Sequence, residues 1–201
     1  MQRQKVVLFD LGGVLIGVTG RIALRTLLPH LSDHDVLERW LGSPAVNRFE
    51  RGQMDATQFA DEFIEEWQLQ LGRVEFIDSF GNWITGFFDG AQAMIQTLRT
   101  EHRVACLSNT NAIHWARLTD AQDLFDVCFA SHLTGFMKPE PEAYLHAMRE
   151  LRVEASDVYF IDDLAVNVAA ARDVGIYAFR AEGLAEGQAV LRAQGLYAQQ
   201  A

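Results

Sequence analysis

An apolar run closed by one carboxylate and two glycines, close to the start of the chain, restricts the fold more than any other stretch. Residues 6–15 read VVLFDLGGVL. Val6, Val7, Leu8 and Phe9 have the β-branched and aromatic character of a short strand, and none is polar, so the strand needs cover on both faces, as a central parallel strand has. Asp10 ends it, and Gly12 and Gly13 stop it. A carboxylate at the mouth of a buried strand is either an end-of-strand cap or a reactive group with a cation nearby. The glycines favour the second reading, because they let the backbone turn sharply and leave its N–H groups clear to approach an anion.

The rest of the chain supplies partners for that strand, but only after a long delay. From residue 17 to about 88 the pattern is helical, with predicted helices over 21–28, 33–41 (Ser32 as N-cap), 45–51 and 56–71 (Asp55 and Gln58 as a capping box). Phe59, Phe63, Ile64 and Trp67 form one apolar face, and Phe76, Phe80, Trp83, Ile84 and Phe87 predict a further helix with the same behaviour. From Phe88 onward, helix and strand alternate. Strands are predicted over 103–107, 127–130, 158–161 and 176–179, and helices over 90–100, 111–119, 140–151, 166–174 and, more weakly, 184–197. Short apolar strands joined by helices imply right-handed crossovers and a parallel sheet covered on both sides. The expected fold is therefore α/β: a Rossmann-like core of residues 1–16 and 89–201, with a small helical cap of residues 17–88 inserted after the first strand.

Composition excludes several alternatives. A net charge of −10 argues against nucleic-acid binding, which needs clustered Lys and Arg. No run approaches the ~18 apolar residues of a membrane span. The stretch after MQRQK superficially resembles a signal peptide, but Asp10 and the glycines at 12, 13 and 17 count against that. Cys106 and Cys128 both lie in apolar segments and read as buried free thiols, which fits a reducing cytoplasm. His30, His34 and His114 lack metal-ligand spacing and read as packing or surface residues. Oligomeric state is not readable from the chain.

In open parallel sheets, ligands sit beyond the carboxyl ends of the strands, so residues at those positions should converge. They are Asp10 with Leu11, Gly12 and Gly13; Ser108, Asn109 and Thr110; Lys138, one of only two lysines; and Asp162 with Asp163, followed by Asn167. Two adjacent carboxylates after a buried strand repel each other unless a cation lies near. A carboxylate nucleophile, a hydroxyl, a lysine and an acidic pair at one sheet edge describe a site for a phosphate and a divalent metal.

These segments resemble, in order, the four motifs of the haloacid dehalogenase superfamily: FDLGGVL, LSNT, MKPEP and FIDDLAVN. MKPEPEAY and IDDLAVNVAAARDVGI are similar to the subgroup that contains sugar-phosphate phosphatases and the phosphatase domain of soluble epoxide hydrolases. The resemblance implies that Asp10 attacks phosphorus to form an aspartyl-phosphate that water then hydrolyses. It implies Mg²⁺ held by Asp10, the Gly12 carbonyl and Asp163, with Asp162 a further ligand through water or an outer acceptor. Ser108 and the N–H groups of Leu11, Gly12 and Asn109 would grip phosphate oxygens, Lys138 would neutralise charge, and Asn167 would orient the metal site. The implied substrate is a small phosphorylated metabolite such as a sugar phosphate.

One position departs from the family pattern. Phosphatases of this superfamily usually carry a second Asp two residues after the nucleophile as general acid and base, and here that residue is Gly12. Dehalogenases lack it too, but they need no metal, so Asp162 and Asp163 favour phosphoryl transfer. A 2-haloacid dehalogenase-type hydrolase, or a catalytically weak relative that binds a phosphorylated ligand, are the competing readings. The missing proton would come from metal-bound water or from the cap, whose loop Arg48–Gly52 resembles the segment that relatives point at the substrate. Glu50 or Arg51 would then touch the leaving group.

Overall fold

The computed structural model describes residues 4–198. In chain order the elements are β1 (Val6–Phe9), β2 (Ile16–Val18), α1 (Gly20–Leu27), α2 (Asp33–Leu41), α3 (Pro44–Glu50), α4 (Ala56–Trp67), α5 (Arg73–Gly81) and β3 (Ile84–Phe87). They continue with α6 (Ala91–Leu98), β4 (Arg103–Ser108), α7 (Ala112–Trp115), α8 (Thr119–Leu124), β5 (Val127–Ala130), α9 (Ser131–Thr134) and α10 (Pro141–Leu151). The last are β6 (Val158–Asp162), α11 (Ala165–Asp173), β7 (Tyr177–Arg180) and α12 (Gly183–Ala193).

β1 lies at the centre of a five-stranded sheet of order β5-β4-β1-β6-β7, and every pairing in it is parallel. Alternate residues of the strand feed two separate cores. Val7 and Phe9 pack with α6 and α12 on one face, while Val6 and Leu8 pack with α10 and α11 on the other. All four are fully buried, which is why the strand tolerates no polar residue before Asp10. The chain leaves β1 for β4 and β5 on one side and returns for β6 and β7 on the other. Asp10 thus stands at the topological switch point, where strand order reverses and a crevice opens.

The helices α1–α5 form a cap with an aromatic core of its own. Phe49 stacks on Phe59 with centroids 4.2 Å apart, Phe63 stacks on Trp67 at 4.9 Å and on Phe76 at 5.1 Å, and Phe59 lies 5.0 Å from Phe80. Burial of one such ring contributes about 1.5–3 kcal/mol, with up to about 1.5 more for a well-placed aromatic pair. Both expected caps are present: Ser32 and Asp35 form a capping box on α2, and Asp55 and Gln58 form one on α4.

Four expectations need correction. The segment from Phe76 to Phe87 is not one helix: α5 stops at Gly81, and Ile84 to Phe87 form β3, antiparallel to β2. Helical spacing of the apolar residues is outweighed there by a partner some 70 residues earlier in the chain, so the cap joins the core through a two-stranded ribbon and is not wholly helical. The expected boundaries after residues 16 and 88 fall at this ribbon. Residues 111–119 do not form one helix but the short α7, followed by α8 from Thr119. α4 ends at Trp67 and not at 71, because Gln68 takes a left-handed conformation (φ 55°, ψ 40°) and its N–H closes the helix on Ile64 and Glu65. The last helix ends at Ala193, short of 197. Among the described residues no helix is long and apolar enough to cross a membrane.

Candidate active site

The parallel sheet brings the strand ends to one edge. Asp10, Ser108, Lys138 and Asp163 line a single cavity of about 840 Å³, closed on its far side by the cap. Asp162, the last residue of β6, is fully buried beneath it.

Lys138 is the hub. Its Nζ lies 2.8 Å from Asp10 Oδ1 and 2.7 Å from Asp162 Oδ2, with the side chain 1% exposed. The loop carrying it is fixed by a reciprocal pair of hydrogen bonds: the Asn109 amide donates to the Lys138 carbonyl (2.8 Å), and the Lys138 N–H donates to Asn109 Oδ1 (2.9 Å). Asn109 therefore joins the loop after β4 to the lysine loop through its side chain. Ser131 makes a second tie, accepting from the Thr110 N–H and donating to the Thr110 carbonyl, each at 2.9 Å. Nothing in the sequence patterns singled out Ser131, since its partner lies 21 residues away in the loop after β4.

Asp162 spends its acceptors within the protein. Its carboxylate takes Lys138 Nζ, the Leu164 N–H at 2.8 Å and the Asn167 amide at 3.0 Å on both oxygens. Asn167 is held in turn by Tyr144, whose hydroxyl donates to the Asn167 carbonyl at 2.9 Å. Asp10 Oδ2, the Asp163 carboxylate and the Ser108 hydroxyl accept or donate no inter-residue hydrogen bond among the described residues, and neither do the N–H groups of Leu11 and Gly12. Asp163 presses on the first loop: a Cβ on Gly13, whose φ is +74°, would lie 2.5 Å from Asp163 Oδ2. Gly13 is a position that requires glycine.

The charges are unbalanced. Ligand atoms of Asp10, Asp162 and Asp163 lie within 4.8 Å of one another, facing the single ammonium of Lys138. Burial pushes the Asp10 carboxyl up; Lys138 pulls it down, Asp162 and Asp163 push again, and the outcome is about 7. Asp163 rises to about 6, through burial and then Asp162. Burial disfavours the Lys138 ammonium, but Asp10 and Asp162 outweigh it and hold the group charged. Oxygen donors with an excess of negative charge suit a hard divalent cation, which would draw the carboxyl protons off.

On the cap side, Glu50 ends α3 and faces the cavity. Arg51, its neighbour, lines the same cavity and also reaches the core. Its guanidinium donates to Asn47 Oδ1 (3.0 Å), to the Gly135 carbonyl (2.9 Å) and to Glu140. The next residue, Gly52 (φ +69°), lies so close to the His132 carbonyl that a Cβ would collide with it. His114 also ties cap to core, its Nε2 2.8 Å from the Phe80 carbonyl and its Nδ1 3.1 Å from the Asn111 amide. Burial pulls that imidazole down to about 4, so it is neutral and structural.

An α/β fold with a carboxylate at its switch point, a bridging lysine and an acidic pair sets out a site for an anion and a divalent cation. The chain belongs to the haloacid dehalogenase-like hydrolases, whose family model matches residues 4–175. It is 26% identical over 197 residues to the D-ribitol-5-phosphate phosphatase of Bacteroides thetaiotaomicron, covering 90% of this chain and 94% of that one. It is 34% identical over 180 residues to a plasmid-borne phosphoglycolate phosphatase of Cupriavidus necator, covering 85% and 77%. The fold is similar to that of a haloacid dehalogenase family enzyme from Bacteroides thetaiotaomicron solved with magnesium and inorganic phosphate, with a TM-score of 0.75, 22% identity and coverage of 90% and 95%.

Proposed function

We propose that the protein is a Mg²⁺-dependent phosphomonoesterase that acts on a small phosphorylated metabolite, a sugar phosphate among the candidates, through an aspartyl-phosphate on Asp10. The observation that carries this reading is Lys138 held between Asp10 and Asp162 with Asp163 beside them, because such a charge set is incomplete without a divalent cation and useful with one.

Asp10, Asp163 and the Gly12 carbonyl would hold the metal, with Asp162 fixing Lys138 and supporting the site from behind. Bound there, Mg²⁺ supplies positive charge against the phosphate oxygens and the nucleophile. Ser108 and the N–H groups of Leu11, Gly12 and Asn109 would take the phosphoryl oxygens, since none is engaged among the described residues. Lys138 lowers the repulsion between Asp10 and an incoming anion. Asn167, bonded to both oxygens of Asp162, orients the acidic pair. Arg51 serves by locking the cap in place, and Glu50 faces the leaving group.

The cavity's size lies in the range that encloses metabolite-sized ligands. Its cap-side wall is apolar, with Leu24, Leu37, Trp40 and Trp83, while Val18, Leu41 and Val166 stand about half exposed on its lining. Asn47, Thr19 and Thr85 add polar groups, so the alcohol part of the substrate would carry both characters. We place the enzyme in the cytoplasm, where Cys106 and Cys128, which are not bonded to each other, would stay reduced.

The deciding experiment offers the purified protein an aryl phosphate and a panel of sugar and alkyl phosphates, with Mg²⁺ or with EDTA, beside Asp10→Asn. Metal-dependent phosphate release, lost in Asp10→Asn, is the expected result. Halide release from 2-haloacids without metal would replace this reading with a dehalogenase.

A further inference from the structure

The geometry points to Glu50 as the proton carrier of this active site, giving its proton to the departing alcohol oxygen and taking one back from the attacking water. This rests on the phosphomonoesterase reading and supplies what Gly12 lacks.

Glu50 is a buried carboxyl, 8% exposed, in the cavity that holds Asp10. Its carboxyl makes no hydrogen bond or ion pair among the described residues. A carboxyl is rarely buried without a partner, and this one, unpaired on the wall of the cavity, is free to meet a ligand there. Its position is fixed from the next residues, since Arg51 is clasped by Gly135 and Glu140, and Gly52 lies against His132. It lies within the electrostatic reach of Lys138 and Asp10, and burial raises it to about 8, so it holds its proton at neutral pH.

The other titratable groups around the cavity are committed. Lys138 is shared by two carboxylates, and both ring nitrogens of His114 are engaged. Glu140 is paired with Arg51, Asp163 belongs to the metal set, and Glu182 is exposed on the far rim.

In the first half-reaction an Asp10 oxygen bonds to phosphorus and the bond from phosphorus to the alcohol oxygen breaks. That electron pair stays on the alcohol oxygen, which takes the Glu50 proton, leaving an alcohol, the aspartyl-phosphate and the Glu50 carboxylate. In the second, water attacks phosphorus and Glu50 recovers the proton. Phosphate and free Asp10 result, and both side chains are restored.

The test compares kcat/KM of the wild type and Glu50→Gln on esters running from nitrophenyl to simple alkyl phosphates. This parameter stops at departure of the alcohol, the step that needs an acid. Glu50→Gln should lose about 10²-fold or more on alkyl phosphates, within the span typical of a lost general acid, and less than about tenfold on the nitrophenyl ester, whose leaving group departs without a proton. The wild type should show little dependence on leaving-group basicity. An equal loss on all esters, no loss on alkyl esters, or a steep dependence already in the wild type would each overturn the assignment, the last without any variant. A wild type inert toward every ester, with Mg²⁺ present, would remove the phosphatase reading itself and this assignment with it. An active wild type with equal losses removes only Glu50.

Discussion

Glu50→Gln should make the metal-free protein more stable at neutral and alkaline pH while leaving it unchanged in acid. The ordinary value for a glutamate carboxyl is 4.5, and in the folded protein burial raises Glu50 to about 8. Below pH 4.5 both the folded and unfolded chains hold the proton, so the two proteins behave alike. As pH rises from 4.5 toward 8, the unfolded chain releases the proton and the folded one does not, so the wild type loses stability at about 1.36 kcal/mol per pH unit. Above pH 8 the loss is complete, on the order of 5 kcal/mol as an upper bound, since water entering the cavity would relieve part of the penalty. Glutamine does not titrate and escapes this loss. Asp10 and Asp163 titrate in the same range in both proteins, so the difference between the two curves reports Glu50 together with its charge interaction with Asp10. Urea unfolding in EDTA at pH 4.5, 6, 7.5 and 9 gives the two curves. They should coincide at the lowest pH and diverge steadily above it. Parallel curves would refute the reasoning, because they would mean that Glu50 ionises as freely in the folded protein as in water.

Three further outcomes follow from the geometry. Gly13→Ala, which places a Cβ 2.5 Å from Asp163 Oδ2 at a left-handed φ, should raise the Mg²⁺ concentration for half-maximal activity about 10–100-fold, checked by metal titration. Lys138→Met leaves Asp10 and Asp162 without their shared cation, and should cost about 3–5 kcal/mol in denaturant unfolding at pH 8 and abolish turnover. Phe59→Ala empties the centre of the fully buried cap cluster and should cost about 3–5 kcal/mol, read as a lower thermal midpoint.

Part of the candidate site was legible because parallel strands deliver their ends to one edge, and Asp10, Ser108 and Asp162 each close an apolar run with the character of a buried strand. Asp10, Ser108 and Asp162 could be placed from that rule alone. The β2–β3 ribbon was not legible. Ile84 and Phe87 fall at spacings that suit a helix, and only the distant Ile16 and Val18 make them a strand. The fate of Arg51 was equally hidden. Glu50 and Arg51 are adjacent and both line the cavity, yet Glu50 has no hydrogen-bond partner among the described residues and Arg51 clasps Glu140, which lies 89 residues further on. Local pattern reports the period of an element, whereas the partner of a side chain depends on tertiary contacts that a single sequence leaves unstated.

Val18, on the ribbon, places Cγ2 only 3.2 Å from where a Cβ on Gly12 would stand. The bare backbone at position 12 and the low seat of the ribbon are therefore one geometric choice. An aspartate there would need the half-exposed Val18 side chain to give by a few tenths of an ångström. A carboxylate at position 12 and the side chain at position 18 would therefore draw on the same space, so the room beside the nucleophile is set by a residue of the ribbon and not by the first loop alone.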